Sequence, residues 1–281
     1  MNIKKVASSL FVCFFISLTF SFAQNDSLSF FDGNWTENKV INGVTVKQCH
    51  FDKGEVFGSN QYISLLEITK ERRIDIIADS ILKKTSEMAK EVGALAAVNG
   101  SFFKMNIPYN SVDYLRVDGV MLADNQKSNI GVREMHQLGA IATFKGELFI
   151  LKADSIWIWE HYIQAEDVLT SGPILLCGGK KELLTEAPFY KNRHPRTCVG
   201  KRRDGTIVFM VVDGRNSAAA GMSIPELQQV MSWLGCKDAL NLDGGGSSTM
   251  VVKDLIINHP TDNKKFDAEG ERKVANCVVV R

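Results

Sequence analysis

The chain has 281 residues, 33 Lys and Arg against 32 Asp and Glu, a formal charge of +1 and 45% hydrophobic residues. That content is ample for a packed core, and the near-neutral balance without a basic run gives no electrostatic footprint for nucleic acid. Six widely spaced cysteines make no disulfide framework, no two of the five histidines have metal-ligand spacing, and no zinc site is expected.

The N-terminus reads as a signal peptide over residues 1–23. Lys4 and Lys5 form a basic start, Leu10 to Phe20 an apolar core, and Ser21-Phe22-Ala23 a small-x-small cleavage site. The apolar stretch is short for a membrane span. Leu10-Phe11-Val12 before Cys13 lacks the small residue of a lipoprotein site. The expectation is an exported, soluble chain, periplasmic or secreted, starting at Gln24 with a formal charge of about −1.

Residues 24–40 are polar and irregular, an arm or first edge element. Val44–His50, Tyr62–Ile68 and Arg73–Ala78 read as strands. The period then becomes helical over about 82–92, with Gly93 as a stop. Leu95–Val98 is a short apolar run entering Asn99-Gly100. Asp118-Gly119 and Lys145-Gly146-Glu147 mark hairpins, and Ile156–Tyr162 is aromatic and strand-like. A third hairpin at Arg203-Asp204-Gly205 leads into the apolar run Ile207–Val212. Ser223 and Glu226 form a capping box for a helix over about 224–234, closed by Gly235. Ala239–Leu242 and Val274–Val280 are further strands. These elements predict a single α+β domain over 24–281, with a large twisted mixed sheet and flanking helices.

The densest chemistry lies in Asn241-Leu242-Asp243-Gly244-Gly245-Gly246-Ser247-Ser248-Thr249. Glycines allow close backbone approach, and turn N–H groups can form an anion-binding concavity beside the Asp243 carboxylate. The loop lacks the lysine of a P-loop and the trailing glycine of a serine-hydrolase elbow. A second apolar run ends similarly, in Val212-Asp213-Gly214-Arg215. The helix between them makes a crossover that places two parallel strands side by side, with Asp213 and Asp243 at one sheet edge and in one cleft. Arg196 and Arg215 offer forked donors for phosphate oxygens. His194 is a proton carrier or a satisfied polar residue before Pro195. Asn99-Gly100 and Ser171-Gly172-Pro173 look like bends that bring backbone close to a ligand.

In this order, Ala97–Phe103, Ser171–Pro173, His194–Thr197, Val212–Arg215, Gly221–Ser223 and Asn241–Thr249 resemble the phosphodiester glycosidase family. The likeness spans about 95–281 and departs from the family at Ser101 and Cys198. It implies hydrolysis of a sugar, N-acetylglucosamine-like, from a sugar-1-phosphodiester, in exopolysaccharide or glycan processing. On chemical grounds Asp243 is nucleophile or general base, with Asp213 its partner and Arg196 and Arg215 on phosphate. The wider substrate-binding set is Asn99, Gly100, Ser171, Gly172, His194, Thr197, Asn241, Gly244, Gly245, Gly246, Ser247 and Ser248. No cofactor is required by the sequence. A divalent cation on Asp213 and Asp243 belongs to the rival reading, a phosphodiesterase cleaving P–O; a non-catalytic carbohydrate-binding protein is the third.

Overall fold

A computed structural model describes residues 25–108, 110–126 and 132–281; the expected signal peptide lies outside them. The first described element is helical, α1 (25–31), where an arm or edge element is expected from sequence. Phe30 anchors it, 1% exposed and packed against Trp35, Phe51 and Trp233. Next come β1 (Thr36–Ile41), β2 (Val44–Val56), β3 (Ser59–Ile68), β4 (Ile74–Lys84), α2 (Thr85–Glu91) and β5 (Ala96–Asn99). The middle of the chain forms β6 (Leu115–Val117), β7 (Val120–Ala123), β8 (Gly139–Phe144), β9 (Glu147–Lys152), β10 (Asp167–Ser171), β11 (Ile174–Cys177) and β12 (Lys180–Lys181). The last part holds α3 (Pro188–Lys191), β13 (Arg196–Arg202), β14 (Ile207–Val212), α4 (Ile224–Trp233), β15 (Cys236–Asn241), β16 (Met250–Val252), β17 (Leu255–Ile256) and β18 (Lys273–Val280).

The α+β class and both expected helices are present. The strands divide among three sheets: an eight-stranded one ordered β1-β2-β3-β14-β13-β15-β11-β12, and two of five strands, β7-β6-β10-β8-β9 and β17-β16-β5-β18-β4. Their ladders are antiparallel. The main core, including Leu66, Val98, Ile141, Phe209, Leu240 and Val278, lies between the large sheet and the two smaller ones. On its other face the large sheet packs against α4 through Leu227, Val230 and Met231, all fully buried. Each such side chain contributes roughly 1.5–3 kcal/mol by burial. α2 covers the outer face of the third sheet through Met88 and Ala89.

α4 starts where the sequence says. Ser223 Oγ accepts from Glu226 N (3.4 Å) and Glu226 Oε2 accepts from Ser223 N (2.8 Å), satisfying two otherwise free N–H groups. The expected single mixed sheet is instead three sheets with antiparallel ladders, because hairpins rather than crossovers join many neighbouring strands, and two further expectations change. Ile156–Tyr162 is no strand: it is a turn followed by a 3-10 turn at Trp159–Tyr162. Its apolar residues Ile156, Trp157 and Ile158 are largely exposed and no strand pairs with them, so β-propensity is overridden. The strands before Asp213 and Asp243 run parallel but are not side by side, because β13 lies between β14 and β15 and pairs with both.

Candidate active site

Since β14 and β15 point the same way, Asp213 and Asp243 emerge at one edge of the large sheet. The start of β13 meets them there, with Arg196 opposite Val212 and Cys198 opposite Asn241. Two loops from the smaller sheets close on this edge. Asp243 N donates to Gly100 O (3.0 Å), and Asn241 N donates to Pro173 O (3.0 Å). Asn241 Nδ2 donates to Gly172 O (2.8 Å).

Asn99, fully buried, is the clamp of this junction. Its Nδ2 donates to Asp243 O (2.8 Å), and its Oδ1 accepts from Thr197 Oγ1 (2.7 Å) and Thr249 N (3.1 Å). One side chain thus ties β5, β13 and both ends of the glycine loop. Asn99, Thr197 and Asn241 hold the site together rather than face a ligand. Ser171 Oγ, Asn241 Oδ1, Ser247 Oγ and Ser248 Oγ are buried without a protein partner among the described residues.

The glycine loop turns in a short 3-10 segment, Gly245–Ser247. Most of its N–H groups are engaged: Gly244 N with Asp243 Oδ1 (2.8 Å), Gly245 N with Pro195 O (2.9 Å), Ser247 N with Gly244 O and Ser248 N with Gly245 O (both 3.3 Å). Gly245 sits at φ +67°, and a Cβ there would lie 2.9 Å from Arg215 Nη2. A Cβ on Gly246 would lie 2.6 Å from Arg272 Nη2. Two guanidinium groups therefore pack against the loop, the Arg272 group held in place by Asp262, and Gly245 itself needs the positive φ that glycine allows.

Asp243 is partly exposed in a cleft of about 300 Å³, lined also by Phe102, Phe103, Met105, Val112, His136 and Arg272. Burial pushes its carboxyl up to about 6. The Ser247 hydroxyl, the Gly244 N–H, and the charges of Arg272 and Arg215 oppose that shift. The Ser247 contribution is weak, because its Oγ meets no partner with hydrogen-bond geometry. Asp243 is thus a carboxylate whose proton affinity lies near the range useful for catalysis.

His136 and Arg272 are absent from the sequence reading. His136 Nδ1 contacts Asp113 Oδ2, while Asp113 Oδ1 accepts from Gln137 Nε2 (2.9 Å). Asp113 is fully buried, so it orients the imidazole and leaves Nε2 for the cleft. Arg272 is fixed by Asp262 Oδ1, which accepts from its Nε (2.8 Å) and Nη2 (2.5 Å). Neither residue carries a local motif; long-range strand pairing delivers them. The only available signal is a polar side chain just before an apolar run.

Other anticipated residues are placed differently. Asp213 is 1% exposed and does not line this cleft. Its Oδ1 accepts from Asn258 Nδ2 (2.9 Å), and its Oδ2 takes His259 N (3.0 Å) and His259 Nδ1 (2.8 Å). It therefore positions His259, whose ring stacks on Phe266 at 3.9 Å. Arg196 is also buried. Its Nε donates to Met222 O (2.9 Å), its Nη2 to Phe189 O (2.8 Å) and Asn192 O (3.0 Å), and Phe189 lies under the guanidinium. Burial and the nearby Arg215 lower its pKa to about 10. Arg196 is engaged in holding the chain before β13, not presented to phosphate. Arg215, by contrast, is exposed and makes no side-chain hydrogen bond among the described residues. His194 pairs through its backbone with Met222, and burial, Arg196 and Arg215 lower its pKa, favouring the neutral ring. Among the described residues, Asp213 and Asp243 belong to no group of three converging metal-ligating side chains. Among the described residues such a group occurs elsewhere, at Asp124, Glu160 and His161.

The profile of the family described as phosphodiester glycosidase matches residues 92–281. N-acetylglucosamine-1-phosphodiester alpha-N-acetylglucosaminidase of Bos taurus is 35% identical over 219 residues, covering 69% of this chain and 38% of that protein. The chain spans well under half the length of the curated relatives it matches. The catalytic domain of the zebrafish enzyme of the same name superposes with a TM-score of 0.63 at 18% identity, covering 88% of this chain and 83% of that one. A hypothetical protein from Synechocystis gives 0.61 at 14%, covering 88% of this chain and 63% of that one. These two likenesses concern the fold.

Proposed function

Since the chain belongs to the phosphodiester glycosidase family, we propose that it is a hydrolase releasing a sugar joined through C1 to a phosphodiester. The products are a free sugar and a phosphomonoester. The names of the mammalian relatives favour N-acetylglucosamine as the sugar. An exported chain acting on exopolysaccharide or another phosphorylated glycan is the setting we propose. No helix among the described residues is long and apolar enough to cross a membrane.

One observation carries the reading: a desolvated carboxylate shares a cleft with an oriented histidine and an arginine, and a second arginine packs on the same glycine loop. Sugar transfer needs a carboxylate to stabilise or attack an oxocarbenium-like C1, and Asp243 supplies it. The C1–O bond breaks with its electron pair going to the phosphate oxygen. Arg272 and Arg215 stabilise that charge, and His136 Nε2–H, its cation supported by Asp113, donates the proton. Water completes the reaction at C1, activated by Asp243 or attacking a glycosyl–Asp243 intermediate. A phosphomonoester leaves readily, so one carboxylate and one histidine replace the usual pair of carboxyl groups.

Turnover of an aryl phosphodiester of N-acetylglucosamine in ¹⁸O-labelled water tests this. Label in the released sugar is expected. Label in the phosphate product would instead establish P–O cleavage, and absence of turnover across a panel of sugar-1-phosphodiesters would leave a binding protein.

A further inference from the structure

Away from the cleft, the residues just after β7, Asp124 and Asn125, meet the 3-10 turn Trp159–Tyr162. Asp124, Glu160 and His161 come together there, with one ligand atom of each within 4.8 Å of the others. His161 Nε2 already sits 2.9 Å from Asp124 Oδ1. Glu160 is 1% exposed. Its Oε1 accepts from Asn125 Nδ2 (2.5 Å), while its Oε2 is buried without a protein partner among the described residues. A small cavity of about 40 Å³ adjoins it, lined by Asp124, Asn125, Arg133, Gln137 and Glu160 among others. A buried carboxylate oxygen without a donor is costly, and a cation is one way to satisfy it.

We propose that Asp124, Glu160 and His161 form a Zn²⁺ site, with water as the fourth ligand. The donor set decides the metal. An imidazole nitrogen with two carboxylates suits zinc, whereas calcium and magnesium favour all-oxygen shells. The cavity reaches Asp124 and Glu160 but is not lined by His161, and it has room for about one water molecule. Asp124 and His161 side chains are 54% and 30% exposed, which gives the ion a route in. Asn125 fixes the Glu160 carboxylate from behind, as outer partners of metal ligands do. Arg133 opposes the ion: its buried Nε faces no acceptor among the described residues, and it shares the cavity. A water bridging Arg133 Nε and Glu160 Oε2 is therefore the competing occupant.

The site has a consequence for the cleft. Gln137 lines the cavity and donates to Asp113, the residue that orients His136. An ion at Asp124 and the 160–161 turn would brace the cavity wall that Gln137 shares, next to His136. This consequence, unlike the site itself, rests on the proposed role of His136.

Equilibrium dialysis of the mature chain against Zn²⁺, with metal analysis and thermal melting, tests the site. The expected result is ~1 zinc per chain, a chelator-reversible rise in Tm, and no such effect from Ca²⁺. His161→Gln and Asp124→Asn should each weaken binding by at least ~10-fold while their zinc-free Tm stays at the wild-type value. His50→Gln serves as a control for adventitious surface binding and should retain the zinc. No stoichiometric zinc in the wild type, or equal binding in the two ligand variants, overturns the proposal and leaves the bridging water.

Discussion

Asp243→Asn should make this protein more stable near neutral pH while abolishing most of its activity. The folded-state carboxyl is raised from 3.8 to about 6, principally by burial. Two pKa units correspond to about 3 kcal/mol of preference for the protonated form. The sign follows from proton binding. Between about pH 4 and pH 6 the folded state holds a proton that the unfolded state has released, so stability falls as pH rises through that window. Above it, the wild type carries the full cost of an ionised, desolvated Asp243. Asparagine carries none of it and keeps an oxygen for the Gly244 N–H, which donates to Asp243 Oδ1 at 2.8 Å.

The expected difference is thus up to about 3 kcal/mol in favour of the variant at about pH 8, fading towards pH 4. For a chain of this size that is about 6–12 °C in Tm. Urea denaturation of both proteins across the pH range gives the difference directly, and carboxyls common to both cancel. Steady-state kinetics on the same samples should show kcat reduced by at least ~10²-fold, and a wild-type acid limb near pH 6. A variant less stable than wild type at pH 8, or a difference that does not change with pH, would falsify the assignment of a raised carboxyl. A well-folded variant with near-normal kcat would remove Asp243 from the chemistry.

Arg196→Lys should lower stability by about 1–3 kcal/mol, because the carbonyls of Met222, Phe189 and Asn192 share one guanidinium fork, and leave KM nearly unchanged. A raised KM at unchanged Tm would return Arg196 to the phosphate. Gly245→Ala forces a side chain at φ +67° against Arg215, so a loss of at least about 1 kcal/mol with a raised KM is expected in melting and kinetic assays. His136→Gln should cost ~10²–10⁴-fold in kcat, less for substrates whose phosphomonoester product is more acidic; an equal loss across leaving groups would argue against proton donation.

Much of this arrangement was readable from local patterns. The capping box of α4, its apolar face and the runs on either side locate both loops at one sheet edge without any tertiary knowledge. The interposed β13 was implicit in the Arg203-Asp204-Gly205 hairpin, which pairs it with β14. What local pattern cannot carry is the state of each polar group. Arg196 and Asp213 look identical in sequence to groups awaiting a ligand. The partners that engage them come from residues 189–192, 222 and 258–259, through contacts that no spacing encodes. His136 was equally opaque, since its orientation depends on Asp113, itself buried beneath a connection without periodicity. Aromatic content misled at Ile156–Tyr162 because no neighbouring strand was there to accept it.

The distinction between engaged and free groups also separates the residues that build this site from those left free for a ligand. Asn99 uses both ends of its amide, Asp113 and Asp213 use both carboxylate oxygens, and Arg196 donates to three carbonyls. Each is buried, and removing one would leave its partners unsatisfied, so their loss registers first as lost stability. Asp243 Oδ2, His136 Nε2, the Arg215 guanidinium and Arg272 Nη1 have no protein partner among the described residues. These free groups combine one carboxylate, one imidazole, one whole guanidinium and the remaining donor of a second, already paired with Asp262. A neutral sugar alone would leave the Arg215 guanidinium uncompensated, whereas Arg272 already pairs with Asp262. On the proposed reading, a phosphate carrying the sugar at C1 gives Arg215 and the remaining Arg272 donor an anion and the carboxylate an electron-poor carbon.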